Sequence, residues 1–205
     1  ISELKMKVLI LGGDGYLGWP TAMDFAAAGH DVTVADNYMR RRMAEATLSD
    51  PLIATPNLSD RVDIFHAVSG KKIKVKIGDL ADAEFMFDVV REVQPDTIIH
   101  YAEQPSAPYS MRGFTEARET FKNNLDVTFN CIWAVKELIP DCHIVKLGTM
   151  GEYGTPNIDI EEGWLEVEHK GRKDRFLFPR AAGSLYHTTK VLDTDLIWFY
   201  VRTYG

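Results

Sequence analysis

The chain has 205 residues, of which 45% are hydrophobic, so it is long enough to bury one sizeable core. Its formal net charge of −7 and pI of about 5.4 make a nucleic-acid partner unexpected, because an acidic chain gains nothing from a polyanion. No apolar run approaches the length of a membrane span, and a strand begins almost at once, leaving no room for a signal or transit peptide. We therefore expect a cytoplasmic protein with no membrane partner.

The cysteines and histidines give no sign of a disulfide framework or a metal site. Cys131 and Cys142 are too few for such a framework and lack metal-ligand spacing. Both are expected to be reduced and to pack as small hydrophobic groups. The six histidines form no cluster along the sequence, and no bound metal is expected.

Strand and helix patterns alternate along the chain. Short apolar runs predict strands at 7–11, 31–35, 73–77, 97–100 and 144–147. Helical spacing predicts helices at 15–28, 82–94, 116–138 and 182–204, and a helical or irregular stretch from 40 to 69 that Pro51 and Pro56 interrupt. This alternation predicts an α/β fold, a Rossmann-type doubly wound parallel sheet. The segment 149–180 has little periodicity and is expected to be a long functional or mobile loop.

A glycine-rich turn follows the first predicted strand. Gly13-x-Gly15-x-x-Gly18 is the ordinary dinucleotide-binding pattern, and Gly12-x-x-Gly15-x-x-Gly18 is a variant of it. Both would bring bare backbone against a pyrophosphate at a helix N-terminus. The turn therefore predicts a cofactor site that includes Tyr16 and Leu17, and a tight turn without a ligand is the alternative.

Acidic residues follow the second and third strands. Asp36 can hold the adenosine ribose hydroxyls and repel a 2′-phosphate, which favours NAD over NADP. Asn37 and Arg40 join the predicted cofactor site, although arginines 40–42 could instead accept that phosphate or form a solvated face. Asp79, beside Leu80, can accept a hydrogen bond from the adenine amino group, and a helix N-cap is the alternative reading for Asp79.

A tyrosine and a lysine lie one helical turn apart near the end of the chain. In Tyr186-x-x-x-Lys190 the phenol and the ammonium share one helix face. A phenol with an ordinary pKa of about 10 is a weak base at neutral pH, but a neighbouring cation and an oxidised nicotinamide favour the phenolate. Such a base could take a proton from a sugar hydroxyl as hydride leaves the same carbon. Thr149, after the fifth strand, could donate a hydrogen bond to the same oxygen.

Longer segments resemble a known family. They are Glu103-Gln104, the segments 106–111 and 145–162, and Tyr186-His187-x-x-Lys190. With these segments the chain resembles the extended short-chain dehydrogenase/reductase family over its whole length, and within that family the UDP-sulfoquinovose synthases of sulfolipid and sulfoglycan head-group synthesis. The resemblance implies NAD as cofactor, and UDP-glucose and sulfite or a sulfite donor as partners. It also implies C4 oxidation, loss of water across C5 and C6, sulfite addition at C6 and C4 reduction.

The resemblance assigns Thr149, Tyr186 and Lys190 to hydride transfer. Related 4,6-dehydratases have adjacent Asp and Glu after the threonine, where this chain has Met150 and Gly151. Glu152 and His187 are the nearby candidates for C5 deprotonation or C6 protonation. The alternatives are a structural hydrogen bond for Glu152 and a packed helix residue for His187.

The remaining candidates follow the fourth strand or lie in the long helix. The resemblance implies that Tyr101, Ala102, Glu103 and Asn124 contact the cofactor. It implies that Gln104, Ser106, Tyr109 and Thr149 contact the sugar or the diphosphate. Two departures from the family pattern are Pro105, where the plant-type sequence has Arg, and Val127, where a glycine is usual.

These patterns together predict one NAD-binding domain over residues 1–205 that carries the tyrosine–lysine helix. A C-terminal sugar-nucleotide domain is expected to lie outside this sequence. The helices 116–138 and 182–204 are expected to pair across a two-fold axis in a homodimer. Two other functions remain open: another nucleotide-sugar enzyme, either a 4-epimerase or a 4,6-dehydratase, and a non-catalytic NAD-binding module.

Overall fold

A five-stranded parallel sheet forms the centre of the protein, as the computed structural model of residues 4–49, 51–161 and 163–205 shows. The strand order is β3-β2-β1-β4-β5. The strands are β1 (Lys7–Leu11), β2 (Asp31–Asp36), β3 (Ile73–Ile77), β4 (Thr97–His100) and β5 (His143–Lys146). The α/β fold class and all five predicted strands are confirmed.

Helices connect these strands. They are α1 (Gly18–Ala27), α2 (Met39–Ala46), α3 (Leu58–Ser69), α4 (Ala83–Val93), α5 (Ala107–Ser110), α6 (Phe114–Leu138) and α7 (Leu185–Tyr204). The chain passes from β1 to β2 on one side and returns to β4 on the other side. The sheet therefore has its switch point between β1 and β4, where the loops after the two strands diverge and leave a crevice.

Both faces of the sheet are buried. Leu9 and Leu11 of β1 pack with apolar residues of α4 and α6, whereas Val8 and Ile10 pack with residues of α1 and α3. Alternate residues of a strand point to opposite faces, so β1 contributes to both cores. Residues 8–11 of this strand are fully buried, which explains their continuous apolar run.

The prediction of a structureless segment at 149–180 is wrong for part of its length. A 3₁₀ turn spans Met150–Glu152, and an antiparallel hairpin is formed by β6 (Trp164–His169) and β7 (Arg172–Leu177). Lys170 and Gly171 make the hairpin turn with positive φ values of 52° and 74°, which suit the twist of a two-residue connection. Glu162 lies outside the described residues.

Smaller differences concern helix ends. Helix α1 begins at Gly18 rather than at residue 15, because residues 12–17 form the loop that precedes it. The short helix α5 was not predicted. It begins where the Ser106 side chain accepts a hydrogen bond from the Tyr109 backbone at 3.2 Å.

Both cysteines are free thiols. Cys131 belongs to the core between the sheet and α4, and Cys142 packs partly buried against it. Burial raises the pKa of Cys131 to about 12 and that of Cys142 to about 11, so neither is a reactive thiolate at neutral pH. Among the helices of the described residues, none is long and apolar enough to cross a membrane.

Candidate functional site

A cavity of about 320 Å³ lies at the carboxyl edge of the sheet, beside the switch point. All of the predicted cofactor residues except Asn124 line it: Gly12, Gly15, Tyr16, Leu17, Gly18, Asp36, Asn37, Arg40, Asp79, Leu80, Tyr101, Ala102, Glu103, Tyr186 and Lys190. These predicted residues come from five separate segments of the chain and converge on one space, because parallel strands all end at this edge.

Three glycines of the turn are required by the packing of the protein itself. A Cβ at Gly12 would lie 2.8 Å from the Ala102 backbone, and Gly12 also has a positive φ of 89°. A Cβ at Gly18 would lie 2.0 Å from the Gly12 carbonyl oxygen, and one at Gly13 would lie 2.4 Å from Val34. Gly15 differs, since its nearest contact would be 3.4 Å away. The protein leaves room at Gly15, so an approaching ligand is the better reason for a glycine there.

Helix α1 begins directly after this turn. Its N-cap residue is Leu17, and within the described residues no side chain caps this end. The Trp19 N–H donates to the Gly15 carbonyl oxygen at 3.3 Å and Pro20 has no N–H, so the N–H groups of Leu17 and Gly18 are the ones at this end that could bind an anion.

Asp36 ties the glycine turn to the end of β2. Its carboxylate accepts hydrogen bonds from the backbone N–H groups of Asp14 at 2.9 Å and Tyr38 at 2.7 Å. Burial is the main cause that raises the pKa of Asp36, and the charge of Asp14 adds to it, while the backbone donors lower it.

Asp79 follows β3, lines the cavity and contacts Asn37, the residue after Asp36. Asn37 Nδ2 donates to Asp79 Oδ1 at 3.2 Å, and the Ala81 backbone donates to the same oxygen at 3.0 Å. The N-cap of α4 is Asp82, which accepts from Glu84 at 3.0 Å, so the alternative reading of Asp79 as the helix N-cap is wrong.

The three arginines after β2 lie in different surroundings. Arg41 makes two 2.7 Å hydrogen bonds to the Asp14 carboxylate, and this bond is the main cause that raises the pKa of Arg41. Arg42 donates to the Asn37 carbonyl oxygen. Arg40 alone of the three lines the cavity, where it is exposed.

Asp14 is a functional candidate that the sequence did not suggest. It also pairs with Arg61 of α3, whose guanidinium lies 4.9 Å from the centre of the Trp19 ring. A carboxylate beside a phosphate-binding turn would repel a pyrophosphate. The two arginines compensate its charge and at the same time hold the turn against α2 and α3.

Tyr186 and Lys190 face the cavity from the first two turns of α7. The Lys190 ammonium lies 5.8 Å from the centre of the Tyr186 ring. It donates to the Leu147 carbonyl oxygen at 2.7 Å and forms an ion pair with Glu103. The start of the helix is fixed by Ser184, which caps it, and by Ser110, whose hydroxyl accepts from the Tyr186 backbone at 3.1 Å. A phenol and a buried cation are thus held together at the end of the cavity.

Thr149 and Glu152 form a capping box in the 3₁₀ turn after β5. The Thr149 hydroxyl accepts from the Gly151 backbone at 3.2 Å, and Glu152 Oε1 accepts from the Thr149 backbone at 3.3 Å. Glu152 is 6% exposed, also accepts from Thr194 at 3.1 Å and lies 3.7 Å from Arg180. These contacts agree with the alternative that Glu152 makes structural hydrogen bonds. Neither Thr149 nor Glu152 lines the cavity.

His187 packs against the same turn. Its Nδ1 lies 3.1 Å from the Ser184 hydroxyl, and its ring covers Gly151, where a Cβ would lie 2.4 Å from Nε2. Gly151 therefore gives this imidazole its space. The centres of the His187 and Tyr186 rings are 5.1 Å apart, so His187 is next to the phenol.

The predicted substrate residues after β4 lie at a second cavity of about 610 Å³, which adjoins the first. Gln104 is buried and donates to Thr120 at 2.7 Å. Tyr109 donates to Glu119, and this bond raises the pKa of Tyr109 to about 12. Both cavities share Asp14, Arg40 and Pro105.

The prediction that Asn124 lines the cofactor site does not agree with the structure. Asn124 is fully buried, where it accepts from the Gln104 backbone at 2.8 Å and donates to Thr189 at 3.1 Å. It joins α6 to α7 beneath the site, and its neighbour Asn123 lines the cavity instead. Among the described residues there is no group of three or more His, Cys, Asp or Glu that could hold a metal ion.

Sequence reasoning also missed Lys146 and Asp193. Both side chains are almost fully buried behind Lys190, and Lys146 forms ion pairs with Asp193 and with Glu103. A lysine inside the apolar run of β5 was the available signal, because an ammonium in a buried strand needs a partner.

Known proteins resemble this chain over its length. A model of the NAD dependent epimerase/dehydratase family matches residues 8–205. The chain is 42% identical over 201 residues to the chloroplastic UDP-sulfoquinovose synthase of Spinacia oleracea, and 44% identical over 201 residues to the UDP-sulfoquinovose synthase of Sulfolobus acidocaldarius. Each match covers 98% of this chain but only 42% and 51% of those proteins, so the chain spans about half the length of the curated relatives it matches.

Solved structures agree on the fold. The UDP-glucose 4-epimerase from Bifidobacterium longum, crystallised in complex with NAD+ and UDP, superposes with a TM-score of 0.69 at 23% sequence identity. The superposition covers 96% of this chain and 49% of that chain.

The unequal packing of two glycines gives a testable difference. We expect Gly18→Ala to lower the free energy of unfolding by about 2 kcal/mol or more, because its Cβ would meet the Gly12 carbonyl oxygen. The matched variant Gly15→Ala should lower it by less than about 1 kcal/mol. Urea unfolding followed by circular dichroism measures both values, and equal losses would contradict the packing argument.

Proposed function

Because the chain belongs to the NAD dependent epimerase/dehydratase family, we propose that it is the NAD-binding and hydride-transfer part of a UDP-sulfoquinovose synthase. The observation that carries this proposal is the 42–44% identity, over 98% of the chain, to two proteins of that name. The overall reaction joins UDP-glucose and sulfite, or a sulfite donor, into UDP-sulfoquinovose and releases water.

NAD is proposed as the cofactor of the cavity at the carboxyl edge. The pyrophosphate would lie against Gly15 and the uncapped start of α1, and the adenosine ribose would lie against Asp36. Arg41 and Arg42 are bound to Asp14 and Asn37, which leaves Arg40 as the cavity arginine that could meet a 2′-phosphate. The Asp36 carboxylate would repel a 2′-phosphate at this position, and this supports NAD over NADP.

Tyr186, Lys190 and Thr149 are proposed for the hydride step. Bound NAD would accept a hydride from C4 of the sugar and return it at the end of the cycle. Tyr186 would take the proton of the C4 hydroxyl, and the Lys190 ammonium would stabilise the resulting phenolate. Thr149 lies at the 3₁₀ turn that packs on α7, and it would donate to the same oxygen once the sugar is bound.

The C4 ketone makes the C5 proton acidic, so water can leave from C6 and sulfite can add to the resulting double bond. These steps need a second base and acid. The contacts favour His187 over Glu152, because Glu152 is already held by Thr149, Thr194 and Arg180. His187 lies beside Tyr186, and its Nδ1 is in hydrogen-bond contact with the Ser184 hydroxyl.

Two further parts of the proposal concern the whole protein. One is that this chain forms a single dinucleotide-binding domain and that a separate sugar-nucleotide domain completes the substrate site.

The other is a homodimer built on α6 and α7, which expose large aromatic side chains, including Phe129 and Phe199, each 47% exposed. Sedimentation of the full-length protein as a monomer would contradict the dimer. Cytoplasmic localisation stays a prediction from the sequence.

The product identifies the reaction. We expect the full-length protein, incubated with UDP-glucose, NAD⁺ and sulfite, to form a UDP-sugar in which sulfonate replaces one hydroxyl, detected by mass spectrometry. The variant Tyr186→Phe should bind NAD⁺ normally and lose at least about 100-fold in product formation, because it lacks the base.

Other products would point to the other functions. A UDP-hexose isomer would indicate a 4-epimerase, and a dehydrated keto-sugar without sulfur would indicate a 4,6-dehydratase. Bound NAD with neither a change in the sugar nor NADH absorbance would indicate a non-catalytic module.

The dehydration step can be separated from the oxidation. We expect His187→Ala to retain C4 oxidation, seen as NADH absorbance, but to lose the exchange of C6 hydroxyl oxygen with labelled water. Glu152→Gln is the matched variant in the turn against which His187 packs, and its C6 exchange should be affected less. Normal sulfosugar formation by both variants would contradict a role for either residue in the dehydration.

A further inference from the structure

Four ionisable side chains form a buried charge cluster behind the cavity: Glu103, Lys146, Lys190 and Asp193. Their side chains are 2%, 9%, 4% and 2% exposed. They come from the loop after β4, from the end of β5 and from two successive turns of α7. Two ammonium groups and two carboxylates therefore share one space that water does not reach.

Glu103 links the two lysines of the cluster. One carboxylate oxygen, Oε1, pairs with Lys146, and the other, Oε2, pairs with Lys190. Lys146 also lies 3.1 Å from Asp193 Oδ2. The ion pairs thus run in a chain from Asp193 through Lys146 and Glu103 to Lys190. Only Lys190 at the end of this chain reaches the phenol, with its ammonium 5.8 Å from the centre of the Tyr186 ring.

The histidine of β4 adds no charge to the cluster. His100 of β4 is fully buried, and its pKa lies well below its ordinary value because of burial and because of the charges of Lys146 and Lys190, so it is neutral. Its Nε2 lies 3.2 Å from the hydroxyl of Thr128 on α6. The electrostatic potential at Lys190 therefore depends on the four members of the cluster.

Lys146 and Asp193 depend on each other for their charges. Burial lowers the pKa of Lys146 and raises that of Asp193, and in each case the opposite charge of the partner counteracts the effect. Removal of one partner leaves an uncompensated charge in a space of low polarity, where its influence on neighbouring groups is strong.

We propose that Lys146 and Asp193 are positioning residues that set the electrostatic potential which Lys190 presents to Tyr186. Lys146 shares the Glu103 carboxylate, so Glu103 neutralises Lys190 only in part and positive charge remains for a phenolate. Asp193 compensates Lys146 and limits that positive charge. This inference rests on the proposed role of Tyr186 as the base, and it adds two residues that contact neither the phenol nor the cavity.

The test is the ionisation of Tyr186 in the free protein. Ultraviolet absorbance is titrated against pH in each background, and the signal of Tyr186 is isolated by subtracting the matched Tyr186→Phe protein. We expect Lys146→Met, which leaves a net negative cluster, to move the midpoint of this titration up by about one pH unit. Asp193→Asn, which leaves a net positive cluster, should move it down by a similar amount.

Two control variants separate charge from structural damage. Lys146→Arg keeps the charge, and the double variant Lys146→Met/Asp193→Asn restores a neutral cluster, so both midpoints should lie near that of the unchanged protein. If a single variant does not fold, the other single variant and the double variant still decide between the outcomes. Unchanged midpoints, or shifts of both single variants in the same direction, would overturn the proposal.

The titration needs no substrate, so it separates this inference from the proposed function. A protein that makes no sulfosugar could still show the opposite shifts. Conversely, an active synthase whose single variants show no shift would retain its proposed function and lose these two positioning residues.

Discussion

The loops after β1 and β4 meet with no space between them, and the site depends on that contact. Gly12 lies against the backbone of Tyr101 and Ala102 so closely that a single Cβ would overlap it. The contact fixes the crevice at the switch point of the sheet, with the start of α1 on one side and Glu103 on the other. A cofactor that enters this crevice meets a ready-made arrangement of backbone donors, so little ordering is needed when it binds.

Electrostatics connect the cavity to the residues behind it. At the glycine turn, the Asp14 carboxylate is compensated by Arg41 and Arg61 and holds the turn to the outer helices. At the other end, Glu103 holds Lys190 beside Tyr186. In both places a carboxylate that does no chemistry determines where a cation lies. The two ends differ in exposure, since Arg41 is partly solvated whereas Lys190 is almost fully buried. Charge changes should therefore matter more at the tyrosine end.

Much of this arrangement could be predicted from the sequence, because the signals are local. The five strands are apolar runs between breakers, the glycine turn and Asp36 lie at the ends of two of these strands, and the Tyr186–Lys190 pair has the spacing of one helical turn. The hairpin β6–β7 was missed because β7 carries charges on both faces, and the apolar alternation in β6 is limited to Leu165 and Val167. Asn124 was assigned to the cofactor by resemblance, but it is buried between Gln104 and Thr189, and the adjacent Asn123, about 100° away around the helix, lines the cavity.

The buried ion pairs could not be predicted in the same way. Glu103, Lys146 and Asp193 are distant in sequence, and only the convergence of β5, α7 and the loop after β4 brings them together. The capping box of Thr149 and Glu152 is another example. Its sequence pattern is short and common. Resemblance suggested Glu152 as an acid or base, whereas in the structure its carboxylate contacts the Thr149 backbone and Thr194.

The central claim is that the carboxyl-edge cavity holds NAD beside Tyr186 and Lys190 throughout a cycle in which the hydride leaves C4 and returns to C4. The most direct test uses UDP-glucose that carries deuterium at C4, with the full-length protein, unlabelled NAD⁺ and sulfite. Mass spectrometry and nuclear magnetic resonance of the UDP-sulfosugar should find the deuterium still at C4. A product that contains hydrogen at C4, or deuterium released with free NADH, would contradict the account.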